Sequence, residues 1–209
     1  EGGKCVIALI DYNMGNLFSV TQAFKYCGET PRIVTEATEL MKFDAAVLPG
    51  VGNFGEGMLR LRESGLAEKV IEFAGTGRPL LGICLGMQML LGESDEAPGA
   101  AGLNLIPGKV RRFPEMGLKV PQIGWNDVAF KKESVPLLAG LEDKSFFYFV
   151  HSYYVCPDDA GAVIGETEYG VRYASIIGRD NIYGCQFHPE KSQNCGLQIV
   201  KNFITLSRG

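Results

Sequence analysis

The sequence predicts an α/β fold: an open, mostly parallel sheet flanked by helices, with an antiparallel β extension. Three observations predict it. Short apolar runs alternate with segments of helical periodicity through the first half of the chain. In the second half, successive short runs rich in β-branched and aromatic residues replace that alternation. A last helical segment closes the chain. The 209 residues suit one domain spanning 1–209, large enough to bury a core without a metal or a disulfide staple.

Each element has its own signal. Cys5–Ile10 is an unbroken apolar run and reads as a buried strand. Leu17, Val20, Phe24 and Cys27 recur at helical spacing, and Gly28 ends that helix. Arg32–Thr35 reads as a second strand and Ala45–Leu48 as a third, stopped by Pro49. Glu56–Ala74 is helical, with a break near Gly65, and Leu80–Ile83 is a fourth strand, followed directly by a helix over Met87–Leu91. Val110–Phe113, Val120–Gly124, Asp127–Phe130, Phe146–Val150, Ala162–Glu166, Tyr173–Gly178 and Asn181–Phe187 read as short strands. Arg179-Asp180 fits a hairpin turn between the last two. In the closing helix, about Gly196–Leu206, the apolar Leu197, Val200 and Ile204 share a face.

Composition excludes several classes of function. The balance of 46% hydrophobic and 21% charged residues is that of an ordinary globular chain. A formal net charge of −4 and the lack of a strongly basic run argue against a nucleic-acid partner. The longest apolar runs are far too short to span a bilayer, and Asp11 ends the first one with no cleavage site after it. The six cysteines form no CxxC pair and sit mostly in apolar segments, which suits reduced thiols in a cytoplasmic setting. No metal-ligand cluster or organic cofactor is implied. Histidine chemistry must use His151 or His188, the only two present.

Gly82-Ile83-Cys84-Leu85-Gly86 is the cysteine form of a nucleophile elbow, with an apolar strand before it and a helix after it. The turn puts Cys84 at a helix N-terminus, which favours a thiolate, and aims the Leu85 backbone N–H at a developing oxyanion. His188-Pro189-Glu190 supplies the base and its orienting carboxylate. Pro189 biases His188 toward an extended conformation, and in an extended chain residues 188 and 190 project to one side. Gly50, Gly52 and Gly55 match G-x-G-x-x-G, but the loop follows the third strand and lacks the expected acidic partner. The alternative is a flexible loop that offers a second oxyanion N–H near Val51 and Gly52. His151 reads as a hydrogen-bonded wall residue, Lys109, Arg111 and Arg112 as a solvated strand face, and the remaining cysteines as packing.

The loop 49–52, the elbow 82–86 and the His188–Glu190 pair occur in the order of the class I (triad) glutamine amidotransferases, which the chain resembles over nearly its whole length. Asp11–Leu17, Gly102–Phe113 (GLNLIPGKVRRF), Pro121–Val128 (PQIGWNDV) and Gln186–Ser192 (QFHPEKS) resemble, within that class, the glutaminase subunits of imidazole glycerol phosphate synthases. The resemblance implies a flavodoxin-like glutamine amidotransferase type 1 domain that hydrolyses glutamine to glutamate and ammonia. It implies catalysis by Cys84, His188 and Glu190, with an oxyanion hole from the backbone of Val51, Gly52 and Leu85. Gln88 and Glu96, helped by the backbone at Gly52, Ser152 and Tyr153, would hold the substrate, with Glu93 and Asp95 as substitutes for Glu96.

A chain of this length has no room for a synthase domain. The resemblance implies a (β/α)₈-barrel cyclase partner that receives the ammonia, in the synthesis of imidazole glycerol phosphate and aminoimidazole carboxamide ribonucleotide on the way to histidine. Trp125, Lys191 and Gln122 are the candidates for the face that meets it. Asn13 stands where many members of the family have glycine. Gly50 and Gly52 make a peptide rotation near Val51 cheap, so glutamine hydrolysis is expected to be weak alone and to rise in the complex. Three other readings stay open: a different amidotransferase such as an anthranilate synthase subunit, a partner-independent cysteine hydrolase, and a nucleotide-binding module built on Gly50–Gly55.

Overall fold

The computed structural model describes residues 5–132 and 134–209. Strands β1 (Ile7–Ile10), β2 (Arg32–Val34), β3 (Ala45–Leu48) and β4 (Leu80–Ile83) lie parallel in the order β2-β1-β3-β4. Every residue of β1, β3 and β4 is buried, because helices cover both faces of this half-sheet. The side chains divide by strand alternation. Ala8, Ile10, Ala46, Leu48 and Leu80 pack with α2 (Phe54–Glu63) and α3 (Leu66–Gly75). Ile7, Leu9, Ala45, Val47, Leu81 and Ile83 pack with α1 (Leu17–Tyr26) and α5 (Gln193–Leu206).

Local chemistry sets the helix ends. Asn16 and Asn53 cap α1 and α2, each accepting a backbone N–H three residues on, from Ser19 and Glu56, at 3.1 Å. Gly65, at φ +70°, takes the left-handed conformation that splits the helical stretch of the sequence into α2 and α3. The helix after β4, α4 (Leu85–Met89), begins two residues before the expected Met87 and has only five residues.

The second half adds β5 (Glu93–Ser94), β6 (Gly108–Arg112), β7 (Gln122–Phe130), β8 (Ser145–His151), β9 (Tyr153–Pro157), β10 (Val163–Tyr169), β11 (Val171–Arg179) and β12 (Ile182–Cys185). β12 is the seam of the molecule: it runs parallel to β4 on one side and antiparallel to β11 on the other. Beyond it the order is β11-β10-β7-β8, and β5, β6 and β9 form a side branch joined at Val155 opposite Ala174. This is the α/β fold that the sequence predicts, an open sheet flanked by helices, but the sheet is mixed: among the described strands five pairings are parallel and six antiparallel, so the antiparallel part is as large as the parallel half.

Three details differ. The two strands expected at 120–124 and 127–130 are one strand, β7, which runs through Gly124 at φ +134°. β5 and β9 were not expected: β5 has only two residues and only Val155 in β9 is buried, so neither carries an apolar alternation. The hairpin turn after β11 falls at Asp180-Asn181, with Asp180 at φ +54°, one residue later than expected. No helix among the described residues is long and apolar enough to cross a membrane.

Candidate active site

Cys84 occupies the sharp turn between β4 and α4, at φ +54° and ψ −111°. A side chain at positive φ is strained, and such strain collects where surrounding packing over-determines the backbone. Here the packing is close. A Cβ on Gly86 would strike the Leu48 carbonyl oxygen, and one on Gly82 would lie 2.8 Å from the Gly86 carbonyl. A Cβ on Gly50 would meet the Tyr12 hydroxyl and, at 2.9 Å, the Leu85 Cβ. The elbow and the loop after β3 therefore fit together only as glycine backbone. The Cys84 N–H donates to the Cys185 carbonyl on β12 at 2.8 Å. Leu85 opens α4, so its N–H has no intrahelical acceptor and is available at the turn.

β12 brings His188 to Cys84. Cys185 lies opposite Ile83 in the parallel register, and the chain then leads to His188 beside Cys84. His188 is extended, at φ −96° and ψ 99°, as Pro189 requires. Glu190 is not part of an extended chain, contrary to expectation. Pro189–Lys191 forms a 3₁₀ turn, which folds the carboxylate back so that Oε1 sits 2.9 Å from His188 Nδ1. Ser192 fixes this turn: its hydroxyl donates to the His188 carbonyl at 2.6 Å and accepts the Tyr148 N–H at 2.9 Å. The His188 and Glu190 side chains are 5% and 3% exposed. Burial opposes a charge on His188, but hydrogen bonds and charge interactions with the Cys84 sulfur and the Glu190 carboxylate outweigh it and push its pKa up to about 10. The arrangement favours the charged imidazolium form of His188.

Val51, Gly52, Cys84, Leu85, Gln88, Glu96, Ser152, Tyr153 and His188 line one cavity of about 320 Å³, with Lys191 at its edge. Glu96 accepts the Phe54 N–H through Oε2 at 2.8 Å, which holds its carboxylate at the cavity wall. Glu93 and Asp95, the two alternatives to it, instead pair with Lys109 at 3.5 and 3.2 Å. Arg111 and Arg112 are exposed on β6. Glu96 and Asn53 take the N–H groups of Phe54 and Glu56 at the N-terminus of α2, where a dinucleotide phosphate would have to sit, which makes the glycine pattern at 50–55 a poor phosphate cradle. Within that loop Gly50 is wedged, whereas Gly52 is exposed at φ +106°. The freedom ascribed to both glycines belongs to Gly52.

His151 is a wall residue of the cavity. Its Nδ1 donates to the Tyr153 carbonyl at 2.7 Å, and Nε2 lies 3.0 Å from the Gln122 amide and 3.2 Å from the Tyr173 hydroxyl. Burial holds it neutral, with its pKa lowered to about 4. These contacts correct one candidate: Gln122 is 3% exposed and cannot belong to a surface that meets a partner. Strand alternation explains it, since Ile123 and Trp125 take the outer face of β7 and Gln122 the inner one. Trp125 is 47% exposed, against Tyr148, and Lys191 is exposed. Asn13 sits at φ +63°, with its N–H donating to Asp11 Oδ1 at 2.9 Å. Its position needs a left-handed backbone, which Asn adopts at the least cost after Gly.

Sequence reasoning passed over Tyr12 and Gln186. The Tyr12 hydroxyl donates to the Pro49 carbonyl at 2.7 Å, which anchors the start of the glycine loop. Gln186 is fully buried against Cys84 and Gln88. A polar residue inside the apolar run before His188 was the one signal for it.

A cysteine elbow facing a histidine–carboxylate pair across parallel strands defines a class, and the match to known proteins agrees. The family model described as Glutamine amidotransferase class-I matches residues 8–206, and the chain belongs to that family. Its fold resembles a crystal structure of a glutamine amidotransferase (TM-score 0.76, 20% identity, 96% of this chain and 98% of that one). It also resembles PurLQS from Thermotoga maritima (TM-score 0.75, 19% identity, 98% and 97%). Among curated relatives, the imidazole glycerol phosphate synthase subunit HisH of Moorella thermoacetica is 46% identical over 97% of this chain and 95% of that protein. HisH of Methanothermobacter thermautotrophicus is 47% identical over 97% and 100%. Within the class, the chain belongs to the HisH family of imidazole glycerol phosphate synthase subunits.

Proposed function

We propose that this chain is the glutaminase subunit of an imidazole glycerol phosphate synthase, hydrolysing glutamine with Cys84, His188 and Glu190 and passing the ammonia to a (β/α)₈-barrel cyclase subunit. The observation that carries the reading is the buried His188–Glu190 pair at 2.9 Å, facing Cys84 in a cavity of about 320 Å³, a size that suits a free amino acid. In the first step the Cys84 thiolate attacks the side-chain carboxamide carbon. The carbonyl oxygen becomes an oxyanion, stabilised by the Leu85 N–H and by the Val51–Gly52 backbone. The intermediate collapses as His188 gives its proton to the departing nitrogen, and ammonia leaves a glutamyl thioester. His188 then takes a proton from water, the hydroxide displaces Cys84, and glutamate departs. Glu190 orients the ring and favours its charged form.

Gln88, Glu96 and the backbone at Gly52, Ser152 and Tyr153 supply the polar groups for the α-amino and α-carboxylate end of glutamine. Glu96 suits the ammonium, since its carboxylate is held at the wall of the cavity. For the partner, the outer face of β7 and β8 supports the reading: Ile123, Trp125 and Phe146 are 56%, 47% and 56% exposed there, an apolar strip beside the cavity that Lys191 borders. Six unpaired thiols suit a cytoplasmic setting. Exposed Gly52 at positive φ permits a rotation of the Val51–Gly52 peptide, so hydrolysis is expected to be slow in the isolated chain and to rise when the cyclase and its ligand bind. Glutamate release, measured alone and with the cyclase and its nucleotide ligand, tests the reading. Release that depends on the partner and disappears with Cys84→Ala supports it, and release that survives Cys84→Ala refutes the triad.

A further inference from the structure

We infer that Gln186 is a positioning residue that aims an amide N–H at the Cys84 sulfur and ties the nucleophile to Gln88; the inference rests on the glutaminase reading above for its role in turnover, though not for its geometry. Gln186 is fully buried on the chain between β12 and His188, and a buried amide must satisfy both its ends. Its orientation follows from a fixed point outside it. The Tyr153 carbonyl can only accept, so the Gln88 amide must present its NH₂ group there, at 3.1 Å. The same Gln88 nitrogen lies 3.1 Å from the Gln186 amide, which must therefore turn its oxygen toward Gln88. That leaves the Gln186 NH₂ group facing Cys84, with Nε2 at 3.6 Å from Sγ. One backbone carbonyl thus sets two side-chain amides in sequence, and the last N–H ends on the nucleophile.

A donor there favours the thiolate over the thiol, because a hydrogen bond to the charged form is stronger than one to the neutral form. It also holds the sulfur on the side of the cavity where Gln88 stands. A residue that merely filled space would be replaced without loss by methionine, which has nearly the same length and shape.

The test is alkylation of Cys84 by iodoacetamide in the full chain at fixed pH, followed by mass spectrometry of the Cys84 peptide, since six cysteines are present. Gln186→Met is expected to slow alkylation of Cys84 by roughly tenfold, the effect of one lost charge-assisted hydrogen bond. An unchanged rate overturns the inference. As a check that needs no variant at position 186, the side-chain NH₂ resonances of Gln186 should move on Cys84→Ala; if they stay still, the donor is not aimed at sulfur. The outcomes separate the two readings. Slower alkylation of Gln186→Met, with no glutamate release by the parent complex, would remove the glutaminase reading and keep the Gln186 contact. Partner-dependent glutamate release by the parent complex, with Gln186→Met alkylated at the parental rate, would keep the glutaminase reading and remove the Gln186 contact.

Discussion

Replacing Glu190 by glutamine keeps the shape of the triad and removes one charge. The carboxylate stands 2.9 Å from His188 Nδ1, both side chains are almost fully buried, and Oε2 has no protein partner among the described residues. The contact is therefore a charge-assisted hydrogen bond screened little by water, worth about 2–3 kcal/mol in the charged state of the ring. If the whole of that is lost when the imidazolium must form, kcat falls roughly 30- to 160-fold. The pH profile gives a second reading with a definite sign. Glu190 and Cys84 both raise the His188 pKa, to about 10, so the imidazolium persists until strongly alkaline pH. Without the carboxylate the alkaline limb of kcat/KM moves to lower pH. Stability should change little, since a neutral amide costs less to bury than a carboxylate with an unpartnered oxygen. Initial rates of glutamate release by the complex from about pH 6 to about pH 11 give both quantities, and thermal unfolding provides the control. A kcat within about threefold of the parent, or an unmoved alkaline limb, would refute the assignment of Glu190 as the group that charges His188.

Other perturbations have equally definite outcomes. Gly86→Ala drives a methyl group into the Leu48 carbonyl, so chemical denaturation should register a loss of about 3 kcal/mol or more, and glutaminase activity should disappear with the elbow. Glu96→Ala removes the acceptor for the Phe54 N–H, costing about 1 kcal/mol of stability, and raises KM for glutamine far more than it lowers kcat. His151 has a folded pKa depressed to about 4 from 6.5, so its contribution to stability is full above pH 6.5 and is lost as pH falls toward 4. Urea midpoints of the parent should drop across that window, and His151→Gln should flatten the drop.

The sequence makes the parallel half of the fold legible because β1, β3 and β4 are buried on both faces and so appear as uninterrupted apolar runs. The breaks at Gly28 and Gly65 are legible for a related reason: positive φ leaves a glycine in the sequence. The antiparallel extension is harder to read. Gly124 looks like the end of a strand but lies inside β7, since a sheet tolerates one twisted residue when pairing to β8 continues on both sides. β9 pairs with β6 through backbone groups while its side chains stay half exposed, so no pattern announces it. The elbow and His188-Pro189-Glu190 are visible as local motifs, although Glu190 reaches His188 by a 3₁₀ turn that the extended-chain argument did not foresee. Gln122 misled because it stands in a segment whose neighbours face solvent, and one residue of register reverses the side. Gln186 carries no local motif: its meaning comes from Gln88 and Cys84, about a hundred residues earlier in the chain.

The seam at β12 also has a consequence for the order in which the protein is made. The nucleophile emerges from the ribosome with β4, but the strand that must lie against β4, and the base that follows it, come only about a hundred residues later. Until then the edge of β4 that β12 will cover stays open, and the elbow has neither its histidine nor the Cys185 carbonyl that accepts the Cys84 N–H. On the proposed reading, a nascent chain releases no ammonia until β12 and His188 are in place. The same late closure leaves an unpaired apolar strand during synthesis, the hazard for which newly made sheets need chaperones.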